Sequence, residues 1–338
     1  MRFKTISNRL ERINPRALEE AGQLDALLRT NGQPIGPLHR IPVIIKDNID
    51  VVGMPMTSGF QGWKNYYPPE DAPIVKKVRA AGGIILAKAS LTEFTRGIGN
   101  NINSVLPGFA RNPYNTAYAT AGSSGGTGAS VAASFGVVGI GTDTGGSVRA
   151  PSAHNALVGL RPTVGLVSTA GMTPNNSVRD TTGPMARSVA DLVILLDVIA
   201  GPDPEDPVTA RAEGHRLPTY SGQLRTDGLK GARLGVPRQV FPPSVTDSRI
   251  IAQFENTLGE LKAAGAEISR RMHAIEGHEL SGRVTPHSLT LADSNGVGES
   301  IFHALPDTIR NFYTVSAWPG HERNLVVRFH DGPLRSRR

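Results

Sequence analysis

Hydrophobic spacing along the chain alternates between helical and strand-like periods. Ala17, Leu18, Ala21, Leu24 and Leu27 recur on one side of a helix predicted over Pro15–Leu28. A short β-branched run, Ile41–Ile45, reads as a buried strand that ends at Lys46. Asp71–Ala81 opens with Asp and Pro73 and stops at Gly82-Gly83, the punctuation of a helix. Ile84–Ala87 follows as a strand, and this strand, helix, strand order predicts an α/β layered fold. Further on, Thr127–Phe135 is a helix of small residues and Val137–Ile140 a strand. A helix opens near Ser147 and runs to Ala153, and an amphipathic one covers Ser188–Ala200. Arg233–Val236 and Thr246–Ala264 add a strand and a helix after the Pro-rich connection Pro202–Gly222.

Composition sharpens this picture in two places. Glycine, 38 of the 338 residues, is in excess, and the excess gathers between Gly97 and Gly171, where tight turns and close backbone approaches are therefore expected. There is no cysteine, which excludes a disulfide framework, thiol catalysis and thiolate metal sites. The net charge of +7 is scattered and not interleaved with aromatic residues, so it reads as a solvated basic surface and not as a nucleic-acid interface. No apolar run is long enough to cross a bilayer, no signal-peptide h-region precedes the first helix, and a cytoplasmic location is expected.

From about Arg270 the character changes. No lysine follows Lys262, and six of the nine histidines (His273, His278, His287, His303, His321 and His330) lie in this stretch. Residues 1–269 are therefore read as one domain, with its core motifs over 41–200, and residues 270–338 as an anomalous tail.

Two Gly/Ser turns carry the candidate chemistry. Val137–Ile140 delivers the chain into Thr144-Gly145-Gly146-Ser147, where successive backbone N–H groups can converge on one point beside a helix N-terminus. A serine at the edge of such a nest is placed to attack a carbonyl whose oxygen the nest receives. An ordinary glycine-rich turn with a helix-capping serine fits the same residues. A nucleophilic serine needs a base, and neither His39 nor His154 forms an evident Ser–His–acid set with Ser147. Gly122-Ser123-Ser124-Gly125-Gly126 satisfies G-x-S-x-G with Ser124 at its centre, but the polar residues before it do not read as the strand that this elbow requires. Gly139-x-Gly141 lacks the remaining spacing of a dinucleotide loop. Asp143 reads as a buried partner for Arg149 in preference to a metal ligand.

Lys46-Asp47-Asn48, Ala121-Gly122-Ser123-Ser124-Gly125-Gly126 and Gly141-Thr142-Asp143-Thr144-Gly145-Gly146-Ser147-Val148-Arg149 together resemble the three motif blocks of the amidase-signature family. Pro151-Ser152-Ala153, Gly159-Leu160-Arg161-Pro162-Thr163 and Gly183-Pro184-Met185 continue the pattern in order, so the likeness spans roughly residues 12 to 236. Ala121 and Arg40 stand where the family often has glycine.

That resemblance implies a three-layer α/β/α sandwich around a large mixed twisted sheet, incomplete at the C-terminus, where family members continue for well over a hundred residues. It implies hydrolysis of carbon–nitrogen amide bonds, other than typical endopeptide bonds, through an acyl-enzyme on Ser147, with Ser123 as bridging serine on a cis peptide bond and Lys46 as general base. The backbone amides of Thr144, Gly145, Gly146 and Ser147 match the oxyanion hole, and Ser124, Asp143 and Arg149 a supporting polar network. No cofactor and no metal are implied. The expected partner is a small-molecule or peptide amide, with a homodimer admitted and neither nucleic acid nor membrane involved. Stand-alone amidases are the nearer likeness; the alternatives are a catalytically dead remnant and an amidotransferase-type glutaminase subunit.

Overall fold

The computed structural model describes residues 10–96, 106, 108–238 and 241–269, and the backbone of 103–104, 314–315 and 324–326. In chain order the elements are β1 (Leu10–Ile13), α1 (Ala17–Asn31), β2 (Pro42–Lys46), α2 (Pro73–Ala80), β3 (Ile84–Ala89), β4 (Asn103–Ser104), β5 (Gly108–Phe109) and α3 (Gly125–Ala132). There follow β6 (Val138–Asp143), α4 (Arg149–His154), β7 (Val158–Leu160), β8 (Thr181–Ala186), α5 (Val189–Ile199), β9 (Arg233–Gly235), α6 (Ser248–Ala263), β10 (Glu267–Ser269), β11 (Thr314–Val315) and β12 (Asn324–Val326).

Seven strands form one mixed sheet in the order β1-β3-β2-β6-β8-β7-β11. Its centre, β3-β2-β6, is parallel, with Ile45 opposite Ile140, and β8 then runs antiparallel to β6. Alternation along β2 and β6 divides the side chains between two faces. Val43, Ile45, Val138 and Ile140 enter the main core with Ile74, Val75 and Val78 of α2 and Leu192, Leu195, Leu196 and Ile199 of α5. Ile44 points the other way, into a smaller cluster with Ala87 and Ala89. On that second face α3 lies so close that a Cβ at Gly139 would come 2.6 Å from Thr127 Cγ2, and one at Gly141 2.7 Å from Ser124 Oγ. Helices on both faces of a mixed sheet make the layered α/β/α sandwich expected from the sequence.

Three differences from the sequence reading have physical reasons. On α1 the expected stripe is only half used: Ala17 is buried, but Leu18 is 89% exposed and Leu27 43%. Strands β7 and β8 do not announce themselves, because β8 (Thr-Thr-Gly-Pro-Met-Ala) is buried on both faces and carries Pro184 opposite Ile140. A second, parallel sheet, β10-β9-β12, stands apart from the first. The tail read over 270–338 lies outside the described residues apart from the backbone of β11 and β12, and so do residues 97–102 of the polar loop.

Among the described residues no helix is long and apolar enough to cross a membrane.

Candidate active site

The candidate residues converge at the carboxyl ends of β2 and β6, the end of an open α/β sheet at which ligands bind. Lys46 is the last residue of β2 and Asp143 the last of β6. Lys46 shares its face of the sheet with Ile44, so its side chain runs beneath the start of α3 instead of into the aliphatic core. It is fully buried. Its Nζ lies 2.8 Å from Ser123 Oγ, 2.7 Å from Thr142 Oγ1 and 3.3 Å from the Thr142 carbonyl. Burial pushes the Lys46 ammonium down to about 7, against the opposing pull of the Asp143 and Asp180 carboxylates.

Ser123 follows a cis Gly122–Ser123 peptide bond, as the resemblance implies. Its carbonyl accepts from the Thr92 amide at 3.2 Å. Ser124 is buried and used structurally: its hydroxyl donates to the Thr142 carbonyl (3.1 Å) and accepts from the Thr142 amide (3.2 Å). Its own amide donates to the Ser147 carbonyl at 3.1 Å, which joins the two Gly/Ser turns. Residues 120–122, directly before this segment, form no strand, so the elbow reading of Ser124 falls away.

Ser147 is half-buried, and its hydroxyl has no hydrogen-bond partner among the described residues. Behind it, the buried Asp143 carboxylate ties down the turn. It accepts from the amides of Gly146 (2.6 Å) and Val148 (3.0 Å) and faces Arg149 and Arg161, each at 3.3 Å through Nε. Burial alone would raise the Asp143 pKa; Arg149, Arg161 and these two amides outweigh it and hold the carboxyl well below the usual range. The Gly146 amide is thus engaged within the turn. Those of Gly145 and Ser147 have no acceptor among the described residues. Thr144 is anchored by its hydroxyl, which donates to Asp180 Oδ1 at 2.5 Å.

His39 and His154 stand away from this centre. His39 Nδ1 accepts from the Ile35 amide, and His154, held below its ordinary pKa by burial, closes α4 beside the Ala119 carbonyl. Sequence reasoning alone does not single out Thr142, Asn48, Arg161 or Asp180. Thr142 and Arg161 lie inside the motif blocks, which is their available signal; Asp180 has none, because a loop returns it to Thr144 from 36 positions away. Asp47, beside Lys46, is buried against Lys88 at 3.2 Å and accepts from the Thr57 amide. Arg40 and Ala121, at positions where glycine is common, both adopt left-handed backbone (φ 67° and 55°), the conformation that glycine takes most easily.

A family model described as Amidase matches residues 3–281. The chain belongs to the Amidase family. It is 39% identical over 251 residues to a glutamyl-tRNA(Gln) amidotransferase subunit from Symbiobacterium thermophilum, an alignment covering 74% of this chain and 50% of that protein. Among solved structures, the peptide amidase from Stenotrophomonas maltophilia is 37% identical with a TM-score of 0.71, over 78% of this chain and 53% of that one. An amidase family protein from Bacillus anthracis is 35% identical with a TM-score of 0.73, over 80% and 54%. This chain spans about half the length of the curated relatives it matches.

Proposed function

We propose that this member of the Amidase family hydrolyses carbon–nitrogen amide bonds through an acyl-enzyme on Ser147, with Ser123 and Lys46 as its proton relay. The observation that carries the reading is the contact of a fully buried Lys46 with Ser123 Oγ at 2.8 Å. A neutral Nζ has two hydrogens and one lone pair. With the Thr142 carbonyl and hydroxyl taking those two hydrogens, the neutral amine has its lone pair left for the proton of the Ser123 hydroxyl, 2.8 Å away.

In the forward step Lys46 Nζ takes the Ser123 proton while Ser123 Oγ takes that of Ser147. Ser147 Oγ adds to the amide carbon, and the oxyanion meets the amides of Gly145 and Ser147 together with that of Thr144. The relay returns its proton to the amide nitrogen, the C–N bond breaks, and the amine leaves. Water then hydrolyses the ester by the same relay in reverse. Ser147 and Ser123 come into hydrogen-bond contact when substrate seats, as catalytic contacts commonly tighten in the complex. The substrate class is a small-molecule or peptide amide, which the likeness to a peptide amidase supports. The likeness to amidotransferase subunits favours a second reading, a glutaminase subunit that works with partner proteins.

Labelling of the purified protein by a fluorophosphonate serine probe tests the assignment. Ser147→Ala should abolish labelling, and a loss of about 10⁴–10⁶ in turnover is the usual scale for a missing nucleophile. Lys46→Ala should slow it severely. Equal labelling of wild type and Ser147→Ala would sink the reading. Partner proteins that co-purify with the chain and are required for turnover would shift it to the glutaminase subunit.

A further inference from the structure

The segments tied to Asp47 and to the Ser123 carbonyl carry a group of aromatic rings that the relay does not use. The Phe60 and Phe94 ring centroids are 5.3 Å apart, Trp63 meets Phe94 edge-on at 5.1 Å, and Phe60 and Trp63 meet at 6.1 Å. Such rings normally bury most of their area, yet Phe60 is 36% exposed and Trp63 37%, with Tyr66 and Tyr67 more open still. An exposed apolar group of this size calls for an occupant.

Its place in the fold says which one. The Phe94 amide donates to the Ser58 carbonyl at 2.8 Å, and the Thr92 amide, two residues earlier, donates to the Ser123 carbonyl. The other segment is held to the residue after Lys46: the Thr57 amide donates to Asp47, and Ser58 and Phe60 follow Thr57 in the chain. One segment is thus held to the backbone of Ser123 and the other to the residue that follows Lys46. Ser58, Phe94 and Thr95 all adopt left-handed backbone (φ 51°, 50° and 56°), which costs about 1–3 kcal/mol per non-glycine residue and concentrates where ligands are held. Exposed aromatic rings carried on such segments are the lining expected of a ligand subsite.

We propose that Phe60, Trp63 and Phe94 form a subsite that receives an aromatic or bulky apolar group of the amide substrate. This rests on the reading of Ser147, Ser123 and Lys46 as the reacting centre. The group could sit on the acyl or on the amine side of the scissile bond, and both arms are testable: phenylacetamide against propionamide, and N-benzylacetamide against N-ethylacetamide.

In at least one arm the aromatic amide should exceed its aliphatic counterpart in kcat/KM by about tenfold or more. Phe60→Ala combined with Trp63→Ala should bring that ratio close to one, while Trp63→Phe should keep most of it. A ratio near one in a wild type that the fluorophosphonate labels, or a ratio that the double variant leaves alone, would overturn the subsite. If the wild type is not labelled, the reacting-centre reading has failed and binding decides separately. With Trp318, outside the described residues, replaced by Phe and Ser147 by Ala, Trp63 is the sole tryptophan. Saturable quenching of its fluorescence by the aromatic amide but not by the aliphatic one supports the subsite, and absence of quenching overturns it.

Discussion

The two faces of the central sheet are both closed to water, but by opposite means. Against α2 and α5 the sheet presents Val43, Ile45, Val138 and Ile140, and the layer is held by aliphatic bulk. Against α3 it presents Gly139 and Gly141, and the helix brings Gly125, Gly126, Gly128, Ala129 and Ser130. The apolar clusters on that face are small, Ile44 with Ala87 and Ala89 and Val131 with Val148, Leu157 and Met185, so it draws less on hydrophobic burial than the other. What it gains is backbone approach: Ser124 reaches the main chain of Thr142, and Lys46 reaches both Ser123 and Thr142. One face stabilises the sheet; the other uses that stability to keep a lysine and a carboxylate dry.

The contrast is sharpest at Asp143. Asp143→Asn keeps the shape but leaves Arg149 and Arg161 buried without their anion. Breaking a buried pair in this way costs about 3–5 kcal/mol, read as a fall in denaturation midpoint, together with lost fluorophosphonate labelling. Since the folded carboxyl is held below its ordinary range, its contribution is present above about pH 4 and is lost as pH falls. A variant as stable as wild type at neutral pH would mean that the second face does not depend on its charges.

How much of this is legible in the sequence follows the same division. Lys46, Ser123 and the 144–147 turn are readable because they sit in contiguous motif blocks, and the strand that ends at Lys46 has a β-branched run. The contacts that bring the candidate residues together are not readable in that way. Lys46 meets Thr142 only through the register that sets Ile45 opposite Ile140, and Asp180 meets Thr144 only through a returning loop. Likewise β8 hides because burial on both faces erases alternation, and Leu18 departs from its predicted face because helical spacing marks a stripe but not its width.

Lys46 offers a second test, in pH. Its folded pKa is depressed to about 7, so the unfolded chain binds a proton there that the folded chain refuses. The cost of burial is complete below about pH 7 and fades as pH rises toward the ordinary lysine value. Relative to Lys46→Met, wild type should therefore gain about 3 kcal/mol in unfolding free energy between about pH 6 and pH 9. Labelling of wild type should rise through the same pH and level off above it. Parallel stability curves for the two proteins would show that Lys46 keeps its proton when folded, and the relay would lose its base.

The smallest effects separate the faces most directly, because each adds or removes one carbon. Gly139→Ala places a methyl 2.6 Å from Thr127 Cγ2 and 3.0 Å from Val131 Cγ2, so α3 must shift or rotamers must strain. Overpacking of this kind costs about 1–3 kcal/mol. Because α3 begins one residue after Ser124, labelling of Ser147 should slow as well. On the opposite face Ile45→Val removes a methyl from a fully buried side chain and should cost about 0.5–1.5 kcal/mol, with labelling unchanged. The pair is therefore read by two measurements, thermal unfolding and labelling rate. If Ile45→Val slowed labelling as much as Gly139→Ala, the aliphatic face would also be setting the position of Lys46, which neighbours Ile45 in the chain, and the division of labour between the faces would fail. If neither slowed it, close approach of α3 would be a packing solution alone, and the glycines of β6 would owe nothing to the chemistry at its end.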